Sequence, residues 1–553
     1  MLRERIVLGA WLLLATALSI SPTLHAKDSN KADLVKRTSS WELSQSIRGA
    51  TELVTCGAGV LSGAFDLNAE IQLALLDGTG ASVMLGDGIN FGFDSRDGQL
   101  FIEGSEIGDK PIFLGPNRDH IAAGKPFQFT AHRGADGAVK ISINGRKIHE
   151  LAKTPDALGM IAFRPHRNQI DIISASLVGD LEKLDHVTRP FVVIHKQGDH
   201  DCHTFRIPGL AKTNAGTLLA VYDMRYDSRR DLQGHMDIGL SRSTDGGKTW
   251  EAPTPIMDMG EHGGLPENQN GCSDANILVD TKTGEIFVSA CWTHGKPGTH
   301  QWVRDGSEPG HAIGKSTQFM VVRSKDDGIT WSKPENWTKR LKDPKWYLFA
   351  PAPGNGICLP DGSLVIPTQG RDENGVPFSN IITSRDHGRT WNVSNAARSN
   401  TTECAVAMLP NGQLMLNMRD NRNRGDKSAT NGRAISTTRD RGKTWKIHST
   451  DHGALPEPVC MASLISHRTS RGQDLLIFSN PNSKTQRKYM TIKLSIDAGE
   501  TWPTDLQILL DAAGGAYSSL VMINPETIGI LYESSRADLV FQSVRLSEFG
   551  IEP

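Results

Sequence analysis

One eight-residue turn occurs five times in the sequence, and this repeat limits the folds that the chain can adopt. The copies read STDGGKTW, SKDDGITW, SRDHGRTW, TRDRGKTW and SIDAGETW, and they begin at residues 243, 324, 384, 438 and 495. In such a turn the Asp accepts hydrogen bonds from nearby amides, the Gly adopts a left-handed backbone conformation, and the Trp packs under the hairpin. The pattern predicts structural turns without a catalytic role.

The spacing of these turns predicts the architecture. Successive closing tryptophans lie 81, 60, 54 and 57 residues apart, and each turn follows a short apolar run suited to a β-strand. A period of this length with several strands per unit is typical of a β-propeller. We therefore predict a six-bladed β-propeller over residues 190–553, in which the turns lie between the outer strands of successive blades. The sixth blade should combine strands from both ends of the region.

The preceding region has a different pattern. Residues 40–186 contain none of the repeated turns, and they show short alternating runs such as FQFTAHR and VKISINGRKI, separated by turn signals. This pattern predicts an antiparallel β-sandwich without an internal repeat. The expected protein is therefore all-β, with an N-terminal β-sandwich followed by a β-propeller.

The first 26 residues have the pattern of an export signal. Arg3 and Arg5 precede an apolar run of 15 residues, and Ala26 lies at the expected cleavage position. The run is short for a membrane span and has the length of a secretory signal. We predict a signal peptide at 1–26 and an exported protein that is periplasmic, cell-surface or secreted. No integral membrane segment is expected after its removal.

Charge and cysteine content exclude some classes of ligand. The formal net charge is −2 over 553 residues, so no overall attraction to nucleic acid or to an acidic membrane surface is expected. The seven cysteines lack CxxC spacing, which argues against a metal-binding cysteine cluster. Their odd number leaves at least one thiol unpaired, and the sequence favours neither buried thiols nor a disulfide framework.

The repeated turns have the form of the Asp-box of sialidases, and TFRIPGL at 204–210 resembles the Phe-Arg-Ile-Pro motif that opens the sialidase propeller. Over residues 190–553 the chain resembles bacterial exo-sialidases of glycoside hydrolase family 33. The resemblance implies an enzyme that hydrolyses terminal sialic acid from glycoproteins, oligosaccharides and gangliosides, without a metal or organic cofactor. It also implies that the sandwich is lectin-like, and that it either binds glycans or only packs against the propeller.

The substrate explains a requirement for arginines. A sialic acid carries a carboxylate on its anomeric carbon, and planar guanidinium groups bind carboxylates through paired hydrogen bonds. The resemblance assigns this role to Arg206 in FRIP, to Arg419 in LMLNMRDNRN and to Arg487 in SKTQRKYM. Arg468 and Arg471 are nearby alternatives to Arg487.

The same carboxylate would repel an anionic nucleophile, whereas a neutral phenol avoids the repulsion if a neighbouring carboxylate takes its proton. The resemblance implies that Tyr517 in GGAYSSL is the nucleophile and that Glu403 in NTTECAVAML is its base. Glu403 precedes Arg419 by 16 residues, a one-hairpin separation that can place both side chains on the central face.

The leaving-group oxygen needs a proton donor. Asp231, in the polar loop DSRRDLQGHMD, matches the acid/base residue of the family, and Asp227 and Asp237 are its alternatives. Arg225 matches an arginine at the rim of the site that contacts ring hydroxyls, and Asp274 in NGCSDANILVD resembles a further residue that contacts the sugar.

An insertion at 293–315 is expected to overhang the site, where Trp302 either covers the substrate or packs on its own loop. Retaining hydrolysis is the main functional prediction. Transfer to a second sugar, or to the substrate's own hydroxyl to give an anhydro product, would use the same residues. A propeller that has lost catalysis and binds sialoglycans as a lectin is the more distant alternative, because all members of the catalytic set are present.

Overall fold

The computed structural model describes residues 45–47 and 54–552, except 87, 105, 155–158, 165–167, 169, 183–190, 296–305, 429–430, 512–513 and 536. The predicted signal peptide and Trp302 therefore lie outside the described residues. In the described part, one four-residue α-helix, α1 (Thr338–Leu341), accompanies many strands. Short 3-10 helices cover Asn117–Asp119, Asp199–Asp201, His262–Gly264, Glu267–Gln269, Asn421–Arg424, Thr504–Leu506 and Leu546–Phe549.

The N-terminal part forms one antiparallel sheet of eleven described strands, in which β11 pairs with both β1 and β2 and the others follow the order β6-β5-β4-β3-β10-β2-β7-β8-β9. The strands are β1 (Gln45–Ile47), β2 (Val54–Leu73), β3 (Ser82–Leu85), β4 (Asn90–Gly92), β5 (Gln99–Gly104), β6 (Gly108–Pro116), β7 (Pro126–Arg133), β8 (Val139–Ile143), β9 (Arg146–Leu151), β10 (Gly159–Arg164) and β11 (Ile170–Glu182).

This sheet folds back on itself. Strands β4 and β7 are separated in the sheet by three other strands, yet the Phe91 and Phe129 rings lie 5.5 Å apart, and the Phe93 and Phe127 rings 5.2 Å apart. Side chains of β7 alternate between exposed and buried positions, as expected for a strand with one face on the core. The predicted antiparallel β-sandwich is confirmed.

From Val192 onwards the described residues form six further sheets. The first contains β13 (Thr204–Lys212), β14 (Leu218–Arg225), β15 (Met236–Ser243) and β16 (Thr254–Met257). The second contains β17 (Cys272–Val279), β18 (Ile286–Trp292), β19 (Gln318–Ser324), β20 (Glu335–Asn336) and β22 (Gly354–Asn355). The third contains β21 (Leu348–Pro351), β23 (Ile357–Cys358), β24 (Leu364–Arg371), β25 (Pro377–Ser384), β26 (Asn392–Val393) and β27 (Arg398–Ser399).

The fourth sheet contains β28 (Thr401–Met408), β29 (Leu414–Asp420), β30 (Ala434–Thr438) and β31 (Lys446–Ile447), and the fifth contains β32 (Ser463–Arg468), β33 (Asp474–Pro481), β34 (Met490–Ser495) and β35 (Gln507–Asp511). The sixth contains β12 (Val192–His195), β36 (Ser518–Asn524), β37 (Thr527–Tyr532) and β38 (Leu539–Arg545).

The sixth sheet closes the ring. Strand β12 pairs antiparallel with β38, with Val192 opposite Phe541, so this sheet combines strands from both ends of the region as predicted. The innermost strands β36, β13 and β17 contact one another in succession, and so do β28, β32 and β36, while both β17 and β28 contact β24 of the third sheet. This arrangement around an axis is a β-propeller, which confirms the predicted fold.

The position of the repeated turns differs from the prediction in the strands that they connect. Each copy joins the third and the outermost strand of one sheet, rather than the strands of two successive blades. Within the first copy, the amide of Thr249 donates to Asp245 Oδ1 over 2.9 Å, and the Trp250 indole N–H donates to the Gly247 carbonyl over 3.1 Å. Asp327 of the second copy accepts a 2.6 Å hydrogen bond from Thr217, which directly precedes β14 of the first sheet. This turn therefore connects two neighbouring blades, which agrees with the predicted structural role.

No helix among the described residues is long and apolar enough to cross a membrane. The six cysteines whose side chains are described are free thiols: Cys202, Cys272, Cys291, Cys358, Cys404 and Cys460.

Candidate active site

Charged side chains from several sheets meet in one cavity of about 750 Å³. Seven of the eight predicted site residues line it, namely Arg206, Asp231, Asp274, Glu403, Arg419, Arg487 and Tyr517. They come from five of the six sheets. Four of them lie on or next to innermost strands, and the other three lie on second strands or in the loops that follow second strands. Five arginines and three carboxyl groups line this cavity, so its field favours an anionic ligand.

A buried tyrosine and a buried glutamate form the centre of the cavity wall. The Tyr517 hydroxyl donates a hydrogen bond to Glu403 Oε1, and Arg419 Nη1 donates to the Tyr517 oxygen over 2.9 Å and to Glu403 Oε2 over 2.5 Å. Burial and the Glu403 charge raise the pKa of Tyr517 well above its usual value, while Arg419 and Arg487 oppose this rise. The phenol is therefore neutral, with a carboxylate in position to take its proton.

Three guanidinium groups surround this pair. The Arg206 and Arg487 guanidinium carbons lie 5.7 and 5.6 Å from the centre of the Tyr517 ring, and Arg419 contacts its hydroxyl. The Nε atom of Arg419 is buried and has no hydrogen-bond partner in the protein. All three arginines line the cavity, so their guanidinium groups can bind a ligand carboxylate there.

The alternatives to Arg487 do not reach the cavity. Arg468 pairs with Asp474 over 2.8 Å, and Arg471 pairs with Glu552, and both arginines are largely exposed. Arg487 instead donates through Nη2 to the carbonyl of Val459 over 3.1 Å, which fixes it beside Tyr517.

Arg206 is held by a residue that sequence reasoning missed. Arg206 Nε and Nη2 each lie 3.2 Å from an oxygen of Glu533, and the amide of Ile207 donates to Glu533 Oε1 over 2.9 Å. Ile207 has φ +60°, an unfavourable conformation for a β-branched residue. Glu533 directly follows the apolar strand β37, and this position at a strand end was the one signal that could have identified it.

Asp231 lies at the mouth of the cavity, with its side chain 41% exposed. Its Oδ1 accepts hydrogen bonds from Arg225 Nη1 over 2.9 Å and from Arg206 Nη1 over 3.3 Å. Asp237 is buried against the Tyr226 hydroxyl, and neither Asp237 nor Asp227 lines the cavity. Of the three aspartates considered, Asp231 is the one that can reach a substrate there.

The predicted rim position of Arg225 is wrong. Its side chain is fully buried and does not line the cavity. Its Nε and Nη2 donate to Asp223 Oδ2 over 3.2 and 2.8 Å, and its Nη1 donates to the Arg229 carbonyl and to Asp231. These partners hold the guanidinium beneath the Asp231 loop, where it supports the loop instead of contacting a sugar.

Asp274 lines the cavity from the second sheet. Its backbone has φ +63° within a bulge of β17, and its amide donates to Asp223 over 3.0 Å. Burial, followed by the charges of Asp223, Glu403 and Asp231, raises the pKa of Asp274 well above its usual value. A neutral carboxyl at this position can donate a hydrogen bond to a sugar oxygen.

Further polar residues of the cavity wall were not predicted: Gln369, Arg371, Thr402, Asn421 and Arg424. Thr402 is adjacent to Glu403, and Asn421 and Arg424 follow Arg419, so proximity in sequence could have identified these three. Gln369 and Arg371 belong to the third sheet, which contains none of the predicted site residues, and only the fold brings them to the cavity.

A propeller with an arginine-lined cavity and a buried Tyr–Glu pair on its axis defines the class: a glycosidase site for a carboxylated sugar. Comparison with known proteins agrees. The BNR repeat-like domain family matches residues 216–530. A sialidase from Bacteroides fragilis (strain YCH46) is 50% identical over 388 residues, which cover 68% of this chain and 70% of that protein.

A sialidase from Micromonospora viridifaciens is 32% identical over 345 residues, 60% of this chain and 50% of that protein. The structure of the Hadza microbial sialidase Hz136 matches with a TM-score of 0.64 and 34% identity, over 92% of this chain and 99% of that one. The chain belongs to the sialidases with BNR repeats, which are glycoside hydrolases of the exo-α-sialidase type.

Proposed function

We propose that this sialidase releases terminal sialic acid from glycoconjugates with retention of configuration, and that Tyr517 is its nucleophile. The contact of the Tyr517 hydroxyl with Glu403, inside a ring of three arginines, is the observation that carries the proposal. A surface or packing tyrosine would not need a buried carboxylate and a guanidinium on its hydroxyl.

Substrate binding uses the positive wall. The sugar carboxylate lies among Arg206, Arg419 and Arg487, which all line the cavity and can donate paired hydrogen bonds to it. Guanidinium groups remain charged at any relevant pH, so this interaction does not titrate. The carboxylate in turn disfavours a second anion near the anomeric carbon, which suits a neutral phenol as attacking group.

In the first step the Tyr517 oxygen forms a bond to the anomeric carbon while its proton passes to Glu403. The bond to the leaving oxygen breaks with its electron pair, and Asp231 gives that oxygen a proton. Asp231 is half-exposed at the mouth of the cavity, and a bound glycan would exclude water from it, which favours the protonated form of a carboxyl group.

In the second step a water molecule attacks the anomeric carbon and transfers a proton to Asp231. The bond to Tyr517 breaks, and the phenolate oxygen takes back the proton from Glu403. Two displacements at one carbon give the α-anomer of free sialic acid, and every residue returns to its starting state.

We further propose that the protein is exported, because residues 1–26 have the composition of a signal peptide. Export would bring the enzyme to glycans outside the cytoplasm. The sandwich at 40–186 would then accompany the propeller at 190–553 in the mature protein.

The test is the release of sialic acid from sialyllactose by the wild type and Tyr517→Phe, with the anomeric form of the product followed by NMR. We expect the wild type to release the α-anomer first, and Tyr517→Phe to lose activity by about 10²-fold or more, the scale of a lost catalytic group. Tyr222→Phe is the control, because it removes a buried hydroxyl outside the cavity.

Release of the β-anomer first would contradict retention. An anhydro or transferred product would contradict hydrolysis while preserving the assigned residues. Binding of sialyllactose without turnover on any linkage would support the lectin alternative.

A further inference from the structure

A fully buried carboxylate, Asp223, lies behind the cavity and contacts no space that a substrate could occupy. It belongs to β14, where it is the cross-strand partner of Arg206. Its side chain reaches the second sheet, where Ser273 and Asp274 of β17 donate hydrogen bonds to it. A charge buried in this way is unfavourable unless donors surround it, and it therefore needs an explanation.

Four donors converge on this one carboxylate. Arg225 donates from Nε and Nη2 to Oδ2 over 3.2 and 2.8 Å, and the Ser273 hydroxyl donates to the same oxygen over 2.6 Å. The amide of Asp274 donates to Oδ1 over 3.0 Å. Burial raises the pKa of Asp223, and Arg225 and Ser273 oppose that rise. All four neighbouring groups donate hydrogen bonds to Asp223. Such an environment favours an ionised carboxylate, which only accepts hydrogen bonds.

Through Arg225, Asp223 fixes the position of Asp231 at the mouth of the cavity. Two of the guanidinium nitrogens face Asp223, and the third donates to Asp231 Oδ1 and to the Arg229 carbonyl, each over 2.9 Å. Because the guanidinium is planar and fully buried, fixing one edge also fixes the other. The position of the Asp231 carboxyl therefore depends on a residue that lies eight positions earlier and never meets the substrate.

The second branch of the network fixes the sugar side of the cavity. The amide of Asp274 is held at φ +63° in a bulge that begins at Ser273, and both residues donate to Asp223. Such a conformation persists only where the surroundings over-determine it. Loss of the Asp223 charge would release this bulge and the Asp231 loop together.

We propose that Asp223 is a positioning residue that orients the general acid Asp231 through Arg225 and at the same time fixes the Asp274 bulge. The inference rests on the proposed function, in which Asp231 protonates the leaving oxygen. It predicts that a change at Asp223 impairs the cleavage of substrates that need a proton more than those that do not.

The experiment compares two substrates of the full chain by kcat/KM, which reports the steps up to cleavage of the glycosidic bond. Sialyllactose has a poor leaving group that requires protonation, whereas a nitrophenyl sialoside releases nitrophenolate, a stable anion that needs no proton to leave. In Asp223→Asn we expect kcat/KM for sialyllactose to fall about 10- to 100-fold more than that for the nitrophenyl sialoside, since misplacing a general acid removes part of its ~10²–10⁴-fold effect. A disturbed Asp274 bulge would affect both substrates equally and cancel in this ratio.

Two variants serve as references. In Asp231→Asn, kcat/KM for sialyllactose should also fall more than that for the nitrophenyl sialoside, and the difference should be larger than in Asp223→Asn. Asp280→Asn, which alters a fully buried carboxylate directly after β17 that receives hydrogen bonds from Lys282 and Thr283, should leave the ratio of the two kcat/KM values unchanged. Ser273→Ala removes one of the four donors without altering a charge, and it should shift the ratio in the same direction by a smaller factor.

Equal losses on both substrates in Asp223→Asn, or no loss on either, would overturn the inference. If Asp223→Asn does not fold, the ratio measured for Ser273→Ala decides, and a wild-type ratio there would refute the positioning role. Equal losses in Asp231→Asn would instead refute Asp231 as the general acid, and with it the mechanism on which the inference rests.

Discussion

The contact between Arg206 and Glu533 gives a prediction whose size follows from the structure. Glu533 receives Arg206 Nε and Nη2 at 3.2 Å and the Ile207 amide at 2.9 Å, and the two charged side chains are 20% and 11% exposed. In Glu533→Gln one carboxylate oxygen becomes an NH₂ group. One of the two guanidinium contacts is then lost, and the new donor faces an arginine donor.

A hydrogen bond to a charged group contributes about 1.5–3 kcal/mol. Because the pair is mostly buried, little of this is lost to screening by solvent. Since a free-energy change of about 1.4 kcal/mol corresponds to a tenfold change in a rate or equilibrium constant, Glu533→Gln should lower kcat/KM by roughly 10- to 150-fold. The carboxylate of the substrate is bound before and during the reaction, so we expect most of the loss as an increase in KM.

The assay is steady-state hydrolysis of a fluorogenic aryl sialoside over a range of concentrations. Asp474→Asn is the matched control, because Asp474 also receives two hydrogen bonds from one arginine, Arg468, but at an exposed position. It should leave both constants unchanged. A change below about threefold in Glu533→Gln, or a loss confined to kcat, would refute the view that Glu533 positions Arg206 for carboxylate binding.

Two further predictions concern stability. A Cβ atom at Gly388, which has φ +79° in the third repeated turn, would lie 2.6 Å from the Phe287 ring of the preceding sheet. Gly388→Ala should therefore lower the free energy of unfolding by ~1–3 kcal/mol in urea titrations while kcat is unchanged, and unaltered stability would contradict the proposed packing of turn on blade. Burial and the Asp258 charge raise the pKa of Asp237 to about 7. Since this folded-state value exceeds the ordinary 3.8, the stabilisation by protonated Asp237 is complete below about pH 4 and disappears as the pH rises through 7. Asp237→Asn should raise the melting temperature at pH 8 and not at pH 4, and parallel pH profiles for variant and wild type would refute this.

The sequence determined the class of fold and most of the catalytic set, because these features are written in contiguous residues. Each repeated turn consists of eight consecutive residues that form hydrogen bonds with one another, as the contacts of Asp245 with Thr249 show. Such a turn can therefore be predicted from the local sequence. Arg206, Arg419 and Tyr517 lie in short motifs at strand ends, and the structure brings them into one cavity.

Tertiary structure alone decided which residues support that set. Glu533 is 327 positions from Arg206, and the two meet only because the sixth sheet closes the ring beside the first. Arg225 lies in the motif that suggested contact with the sugar, yet it pairs with Asp223, which Ser273 of the second sheet holds in place, and donates to Asp231. Local motifs specify turns and strand ends, whereas burial and partnership depend on which blades become neighbours. Which blades become neighbours depends on the whole chain, so the burial and the partners of these residues become evident only in the folded propeller.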